Sequence, residues 1–288
     1  MSNSTAVLPP FLVLDQLLQG WLMEDIGRGD RTTQPLALPA NKVGQAKWIA
    51  RETGIVAGLP IAARVFQLLD PQLTLISKIA EGEVCERGQA IAYLEGSLEA
   101  LLMGERTALN LTMRLSGIAT MTRQYVDLIK DLPAQLVDTR KTTPGLRLLE
   151  KYATQVGGAM NHRMGLDDAV MIKDNHIAAA GGIGKAIAQI RAHIPYPLTI
   201  EVETENLDMV EEAIKYGADI IMLDNMLPEM MKQAVKMIRQ ANERIKIEAS
   251  GNITLETIRS VAKTGVDYIS SSAPVTRATW LDLSMRIE

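Results

Sequence analysis

The segment Gln135-Leu136-Val137-Asp138-Thr139-Arg140-Lys141 is a short apolar run that ends directly in charged residues. The same pattern recurs along the chain, as predicted strands at 169–172, 198–202, 219–223, 245–249 and 266–270. Helical patterns, such as those at 207–216 and 229–241, fill the intervals. Repeated strand–helix units with mainly apolar strands predict a parallel sheet. Six such units in about 150 residues favour a closed α/β barrel over a doubly wound sheet.

A polar group follows each predicted strand, and the groups are Arg140-Lys141, Lys173, Glu203, Asp224, Ser250-Gly251 and Ser271-Ser272. The successive gaps from Lys141 to Ser271 are 32, 30, 21, 26 and 21 residues, and each gap accommodates one strand–helix unit. Because barrel enzymes place their active sites at the carboxyl ends of the strands, these groups are expected to converge on one mouth.

Positive charge is concentrated at this mouth, although the chain as a whole has a formal charge of −4. The cations are Arg140, Lys141, His162, Arg163 and Lys173. Arginine presents a rigid fork that matches a carboxylate or phosphate in two hydrogen bonds, so the group indicates a ligand with several anionic groups. The alternative is that some of these residues are solvated charges or ion-pair partners.

Carboxylates and small polar turns complete the predicted mouth. Glu203 and Asp224 among cations indicate a divalent ion or sugar hydroxyls, because Mg²⁺ prefers one or two carboxylates together with substrate phosphates. The alternative is that they neutralise Lys141 or Lys173. The turns at 250–254 and 270–272 offer backbone N–H groups to an anion, although such turns are also common as ordinary caps.

The N-terminal part has a different pattern. Strand-like runs occur between residues 43 and 94, with one helix predicted around Ile61, Val65, Leu68 and Leu69. Residues 98–132 are helical, with a predicted break near Ser116-Gly117. Residues 81–96 resemble the hammerhead of biotinyl and lipoyl carrier domains, but no lysine for modification lies between Lys78 and Lys130.

Bulk properties exclude several classes of protein. The single cysteine, Cys85, excludes disulfide frameworks and cysteine-based zinc sites. Neither a signal sequence nor an apolar run of the roughly 18 residues that a membrane helix needs is present, so a cytoplasmic protein is expected. An acidic chain without a basic stripe is not expected to bind nucleic acid.

Several motifs together resemble one family, quinolinate phosphoribosyltransferase. The similarity runs from Glu24 to the last predicted strand and includes the segments at 24–30, 105–110, 115–120, 138–145, 161–163, 173–176, 201–203, 223–225 and 248–251.

The resemblance implies a fold and an assembly. The fold is an N-terminal α/β sandwich at 1–115, rejoined by the tail at 273–288, and an incomplete α/β barrel of type II phosphoribosyltransferases at 116–272. The family members are homodimers in which each site is shared between subunits, and further assembly into a hexamer is left open.

The resemblance also implies an activity in NAD biosynthesis. It is the transfer of phosphoribosyl from phosphoribosyl pyrophosphate to quinolinate with decarboxylation, which makes the protein a pentosyltransferase. The products are nicotinate mononucleotide, pyrophosphate and CO2.

Roles for individual residues follow from the same resemblance. Quinolinate is expected to contact Arg106 of the partner subunit together with Arg140, His162, Arg163 and Lys173. Phosphoribosyl pyrophosphate and Mg²⁺ are expected at Lys141, Glu203 and Asp224, with the carboxylates reaching the ion through substrate or water. The expected catalytic residues are Lys141, Lys173, Glu203 and Asp224. The 5′-phosphate is expected at Ser250, Gly251, Asn252, Ser271 and Ser272.

Two segments depart from the family pattern, and both lie in the predicted phosphate turns. The chain has Gly251-Asn252-Ile253-Thr254 where the family usually has Gly-Gly-Ile-Thr, and it has Ser271-Ser272-Ala273-Pro274-Val275 where the family usually has Val-Gly-Ala-Leu-Thr. Asparagine tolerates left-handed backbone angles better than most residues, which accommodates the first departure.

Two other functions are consistent with parts of the sequence. A relative with the same fold would use nicotinate, or would act in molybdenum transport, but Arg106, Arg140 and Arg163 are better matched to a dicarboxylate. A non-enzymatic carrier would be built on the hammerhead, and the missing lysine disfavours it.

Overall fold

The computed structural model describes residues 6–39 and 42–288. The helices are α1 Phe11–Ile26, α2 Leu59–Leu69, α3 Leu98–Ile129, α4 Arg147–Gly157, α5 Asp174–Ala180, α6 Ile183–Arg191, α7 Leu207–Lys215, α8 Pro228–Ala241, α9 Ile258–Ala262 and α10 Ala273–Thr276. The strands are β1 Val43–Ala50, β2 Gly54–Ile55, β3 Thr74–Ser77, β4 Val84–Cys85, β5 Ala90–Ser97, β6 Gln135–Val137, β7 Val170–Ile172, β8 Ile200–Thr204, β9 Ile220–Asp224, β10 Lys246–Ser250, β11 Tyr268–Ser270 and β12 Leu283–Ile287.

The chain forms two compact units. Unit 1 comprises 1–123, 148–158 and 277–288, and unit 2 comprises 124–147 and 159–276. The predicted boundary between residues 115 and 116 lies inside α3, and the first five residues of the predicted N-terminal domain lie outside the described part of the chain. Within the described part, none of the helices combines the length and the apolar character required to cross a bilayer.

Unit 1 is built on an antiparallel sheet with the strand order β12-β1-β5-β3. The predicted helix at 61–69 is confirmed as α2, which buries Ile61, Val65 and Phe66. The ring of Phe66 meets the buried ring of Trp48 edge to face, with centroids 6.2 Å apart. Burial of these side chains supplies the main favourable term for folding of this unit.

The predicted break near Ser116-Gly117 is wrong, since α3 runs without interruption from Leu98 to Ile129. The Ser116 hydroxyl exchanges hydrogen bonds with the backbone of Ala57, so it is used in packing rather than in ending the helix. A Cβ at Gly117 would lie 1.9 Å from the carbonyl oxygen of Thr279. Glycine is therefore required here because another backbone segment approaches the helix closely.

Unit 2 contains a parallel sheet of six strands in the order β6-β11-β10-β9-β8-β7. Apart from β6, spatial neighbours are also sequence neighbours, which is the order of a barrel and not of a doubly wound sheet. The predicted closed barrel is wrong in one respect. Within the described residues β6 and β7 do not pair, and an isolated bridge between Val137 and Met160 lies on the outer side of β6. The barrel is therefore incomplete, as the resemblance implies.

Strand register places the polar residues on one face of this sheet. Ser250 is paired with Asp224, and Glu203 and Glu248 are both paired with Met222. Because side chains alternate along a strand and paired residues share a face, all of these side chains point to the same side. Glu201 shares this face, since it precedes Glu203 by two residues. The apolar residues between them, such as Val202, Leu223 and Ala249, are buried on the opposite side.

Candidate active site

The loop after β6 is tied to the loop before β7 by a buried carboxylate. Asp138, which is 2% exposed, accepts hydrogen bonds from the Asn161 side-chain amide at 2.6 Å and from the backbone N–H of His162 at 2.8 Å. Asp138 therefore brings the predicted segments 138–145 and 161–163 together, although they are 16 or more residues apart in the chain.

Arg147 reinforces this connection. Its Nη1 donates to the carbonyl oxygen of Met164 at 3.0 Å, its Nε donates to the hydroxyl of Thr142 at 3.1 Å, and its Nη2 donates to the carbonyl oxygen of Arg140 at 3.4 Å. Three hydrogen bonds from one planar guanidinium, two of them to backbone carbonyl oxygens, thus connect the loop that holds Arg140 to the loop that holds Arg163. Sequence reasoning did not single out Arg147, although it lies only two residues after the recognised motif.

Arg140 and Arg163 act on one another through their charges. Burial lowers the pKa of Arg163, the nearby Arg140 lowers it further, and the carboxylates of Glu201 and Asp168 raise it. The Nη1 of Arg163 donates to the carbonyl oxygen of Ala169 at 3.0 Å. The Nε of Arg140 is buried and has no hydrogen-bond partner in the described part of the chain. Two guanidinium groups near enough to interact through their charges, one of them with an unused donor, are suited to a ligand with more than one negative charge.

The predicted carboxylates Glu203 and Asp224 both have local partners. Lys173 Nζ lies 2.5 Å from Glu203 Oε2, so the ion pair that was the alternative interpretation of these residues is formed. Lys173 is 45% exposed and Glu203 is 13% exposed, which leaves the ammonium accessible to a ligand. Asp224 Oδ2 accepts a hydrogen bond of 2.5 Å from the side-chain amide of Asn225.

The turn after β10 adopts a left-handed backbone. Gly251 has φ +93° and Asn252 has φ +52°. The Asn252 amide donates to Asn225 Oδ1 at 3.1 Å, and the backbone N–H of Asn225 donates to the carbonyl oxygen of Ser250 at 2.9 Å. Asparagine at the position where the family usually has glycine is therefore compatible with the turn, because its side chain joins this turn to the residue after β9.

Ser271 and Ser272 differ in their surroundings. The Ser271 hydroxyl is buried, donates to the carbonyl oxygen of Ile253 at 3.4 Å and accepts from the backbone N–H of Ala273 at 3.2 Å. The carbonyl oxygen of Ser272 accepts the backbone N–H groups of Val275 and Thr276. The Ser271 side chain therefore joins two loops, and a contact of either residue with phosphate stays a prediction.

His162 lies between two carboxylates that the sequence analysis did not assign. Its Nε2 is 3.2 Å from Glu201 Oε2 and 3.4 Å from Glu248 Oε2. Its Nδ1 accepts the backbone N–H of Arg163 at 2.7 Å. Both ring nitrogens of the predicted quinolinate contact are thus engaged within unit 2.

The surroundings of His162 and Glu201 change the pKa values of both groups. Burial of the ring lowers the pKa of His162, but hydrogen bonds to Glu201 and Glu248 outweigh burial and raise it to about 10. The Arg163 N–H at Nδ1 acts in the other direction, because a fully protonated ring has no acceptor to offer it. Burial also raises the pKa of Glu201.

The two remaining predicted residues, Lys141 and Arg106, are both exposed. Lys141 is exposed, and its backbone N–H donates to the Thr139 hydroxyl at 3.0 Å. Arg106 belongs to α3 of unit 1, is 61% exposed and pairs with Glu105. Unit 2 brings together the cations after β6 and β7, the carboxylates near the carboxyl ends of β8 and β9, and the turns after β10 and β11.

Strand alternation contains a signal for the two unassigned carboxylates. Glu201 precedes Glu203 by two residues, and Glu248 precedes Ser250 by two, so alternation along each strand puts both on the same face as a predicted site residue. Asn225, which contacts both Asp224 and Asn252, has no comparable signal, since its role depends on two turns meeting in space.

Glu203 and Asp224 fit a magnesium ion that is held mainly by substrate. Both offer oxygen ligands on one face of the sheet, and Mg²⁺ commonly uses one or two carboxylates together with phosphates and water. The three metal-type ligands that lie within 4.8 Å of one another in the described residues are His162, Glu201 and Glu248, which do not include either residue. The donor set therefore suits indirect binding better than a cage of protein ligands.

Comparison with known proteins identifies the family of both parts of the chain. The model for the quinolinate phosphoribosyl transferase N-terminal domain matches residues 30–116. The model for the C-terminal domain of the same family matches residues 118–286.

Individual relatives match over nearly their whole length. The chain is 61% identical over 280 residues to the probable nicotinate-nucleotide pyrophosphorylase (carboxylating) of Synechocystis sp., which covers 97% of this chain and 94% of the relative. It is 46% identical over 276 residues to the protein of the same name from Bacillus subtilis, over 96% of this chain and 94% of that one. The crystal structure of NadC from Streptococcus pyogenes has a TM-score of 0.93 and 42% identity, and covers 98% of this chain and 99% of that chain.

Proposed function

The chain belongs to the quinolinate phosphoribosyltransferase family, and from this membership we infer that it makes nicotinate mononucleotide from quinolinate and phosphoribosyl pyrophosphate. Pyrophosphate and CO2 are the other products. The reaction is a step of NAD biosynthesis.

The observation that best supports this function is the pair of arginines, Arg140 and Arg163, at the carboxyl end of the parallel sheet. Arg140 and Arg163 act on each other electrostatically, and Arg140 keeps a buried donor without a partner in the described residues. Quinolinate has two adjacent carboxylates, and each can accept hydrogen bonds from a guanidinium group. Lys173, at the end of β7, adds an ammonium on the same side of the sheet.

In the transfer step, the pyridine nitrogen attacks the anomeric carbon as the bond to pyrophosphate breaks. Positive charge develops on the sugar, and the carboxylates of Glu203 and Asp224 would stabilise it. Lys141 and Lys173 would stabilise the negative charge on the leaving pyrophosphate. Magnesium, held by the substrate phosphates and reached by Glu203 and Asp224 through substrate or water, would supply further charge neutralisation for the leaving group.

In the decarboxylation step, the bond between the ring and the 2-carboxylate breaks. The electron pair stays on the ring carbon next to the positively charged nitrogen, CO2 departs, and that carbon takes up a proton. The arginines hold the 3-carboxylate in place during this step. Binding energy from the carboxylate that does not react is thus used to orient the one that leaves.

A direct assay tests this function. The purified protein is incubated with quinolinate labelled at the 2-carboxylate, phosphoribosyl pyrophosphate and Mg²⁺, and labelled CO2 is measured. We expect turnover that depends on both substrates and is abolished by EDTA. Nicotinate in place of quinolinate is the matched control. Because nicotinate has no 2-carboxylate to lose, pyrophosphate release is measured for both substrates, and faster release with nicotinate would show that the chain uses the substrate of its fold relatives.

We also propose that the enzyme is a homodimer in which Arg106 of the partner subunit contacts quinolinate. Mixing inactive Arg106→Ala and inactive Arg163→Ala subunits tests this arrangement. A shared site predicts recovery of about a quarter of wild-type activity, since random mixing makes half of the dimers heterodimers with one intact site each. Recovery of no activity, with mixed dimers shown by mass spectrometry, would place both arginines in the same subunit's site.

A further inference from the structure

Two buried carboxylates lie deeper in the incomplete barrel than the residues assigned to the substrates. Glu201 and Glu248 are 2% and 3% exposed. Each lies two residues before a predicted site residue on the same face of the same strand, about 6.6 Å further from the carboxyl end of the sheet. Both direct one oxygen toward Nε2 of His162.

A purely structural role explains this arrangement poorly. Buried carboxylates are costly unless their oxygens are paired, and replacing such groups by apolar residues often costs nothing. The second oxygen of each, Oε1, is buried and lacks a hydrogen-bond partner among the residues that the structure describes. The strands would be better served by apolar side chains at these two positions, so another requirement has to account for them.

Glu201, Glu248 and His162 form a cluster that is connected to Arg163. The imidazole of His162 accepts the Arg163 backbone N–H on one side and meets the two carboxylates on the other. The charge of Glu201 favours the guanidinium of Arg163, whereas Arg140 opposes it. The cluster therefore acts on the backbone of Arg163 and on its charge.

We propose that Glu201 and Glu248 are positioning residues for quinolinate binding, acting through the imidazole of His162 to hold Arg163 beside Arg140. The proposal rests on the quinolinate-binding role of the arginine pair. Before substrate arrives, the two guanidinium groups repel each other, and the buried carboxylates provide the opposite charge that lets them stay together. Quinolinate then binds to a pair already in place, which reduces the cost of ordering it.

The test compares Glu201→Gln and Glu248→Gln with Glu212→Gln, whose carboxylate accepts the Gly184 N–H elsewhere in unit 2. Glutamine keeps the size and removes the charge. We expect the KM for quinolinate to rise by roughly tenfold or more in the first two variants, as when a hydrogen bond to a charged group is lost. The KM for phosphoribosyl pyrophosphate should stay within about twofold of wild type in all three.

A double-mutant cycle tests whether the carboxylates act through His162. In a His162→Gln background, Glu248→Gln should have little further effect on quinolinate binding measured by calorimetry, because the intermediate group is already missing. Full additivity would overturn the proposal. If Glu201→Gln does not fold, Glu248→Gln and its combination with His162→Gln supply the same test, since both carboxylates contact the same nitrogen.

The remaining outcomes also decide the question. An equal rise in both KM values, or unchanged quinolinate binding in both variants, would show that the cluster is only structural. Stoichiometric Zn²⁺ or Mn²⁺ in the purified wild-type protein, lost in Glu248→Gln, would show a metal site and overturn the proposal. Absence of CO2 release by the wild-type enzyme would instead contradict the proposed function, and it is measured separately.

Discussion

Unit 1 has a half-buried carboxylate, Glu81, and unit 2 has two fully buried ones, Glu201 and Glu248, and their hydrogen bonding differs. In unit 1, Glu81 accepts the Tyr152 hydroxyl at 2.7 Å and the backbone N–H groups of Gly58 and Leu59 at 2.7 and 2.9 Å. Both of its oxygens are engaged at the start of α2, where a carboxylate also interacts favourably with the helix dipole. In unit 2, Glu201 and Glu248 each keep one buried oxygen without a partner in the described residues.

The difference indicates that Glu81 contributes mainly to stability, whereas Glu201 and Glu248 contribute mainly to function. A carboxylate whose hydrogen bonds are all made contributes to folding, because the N–H groups it satisfies would otherwise be left unpaired at a helix start. Carboxylates that remain partly unsatisfied contribute less to folding, and we explain Glu201 and Glu248 by the negative charge that they supply near Arg163. Four substitutions test this contrast.

The largest effect is expected from Arg163→Ala, on activity and not on folding. Loss of one partner of a buried charge pair costs about 2–5 kcal/mol, so kcat/KM for quinolinate should fall by about a thousandfold. Steady-state kinetics measures this. Arg191→Ala, which removes an exposed arginine paired with Asp219 in the same unit, is the control. A similar fall in both variants would contradict the assignment.

The next effect is expected from Glu81→Ala, on folding and not on activity. The substitution leaves the N–H groups of Gly58 and Leu59 and the Tyr152 hydroxyl without their acceptor, which should cost about 3 kcal/mol and lower Tm by about 6 °C or more. Differential scanning calorimetry measures the change. The kcat of the folded fraction should match wild type. A loss of kcat in the folded protein would contradict the assignment of Glu81 to stability alone.

A smaller effect is expected in the pH dependence of stability. Burial raises the pKa of Glu81, although its three hydrogen bonds act in the opposite direction. A carboxyl with a raised pKa binds its proton more tightly in the folded state, so its contribution falls as pH rises from about 4.5, its ordinary value, through the folded-state pKa. Relative to wild type, Glu81→Gln should therefore gain in Tm between pH 4.5 and 8. The difference in Tm between Glu81→Gln and wild type is measured at several pH values, and a difference that does not change with pH would contradict the raised pKa.

The smallest effect is expected from Asp131→Asn, on the surface of unit 2. A hydrogen bond from Arg259 lowers the pKa of Asp131 to about 2, but the pair is exposed and screened by solvent. A lowered pKa gives stability that is present above 3.8 and is lost as pH falls toward 2. At pH 7 the Tm of Asp131→Asn should therefore change less than that of any Glu81 variant. A larger change would show that solvent exposure does not weaken this ion pair.

The sequence predicts much of unit 2 because its signals are local. Apolar runs ending in charge mark the strands correctly, and their spacing predicts the barrel order and the mouth. Alternation within a strand would also have placed Glu201 and Glu248 on the inner face. These features depend on residues close together in the chain, so composition and period are enough to find them.

The features that sequence reasoning missed depend on contacts between distant residues. The sequence predicts a break in α3 at Ser116-Gly117. The helix continues there because Ser116 hydrogen-bonds to Ala57 and Gly117 makes room for the backbone of Thr279. The hydrogen bonds of Arg147 and the contact between Asn225 and Asn252 join loops that follow different strands. No local pattern encodes such contacts, because each residue would be equally acceptable on a solvated turn.

The unpaired seam between β6 and β7 has a consequence for aggregation. A closed barrel has no free edge, whereas an open sheet presents backbone groups to which another chain can add a strand. Here the outer side of β6 is met by the bridge from Met160, and β7 extends only from Val170 to Ile172. The three residues of β7 offer little length for such pairing. The barrel is therefore open at this seam, but its free edge is too short for a strand of another chain to add to it.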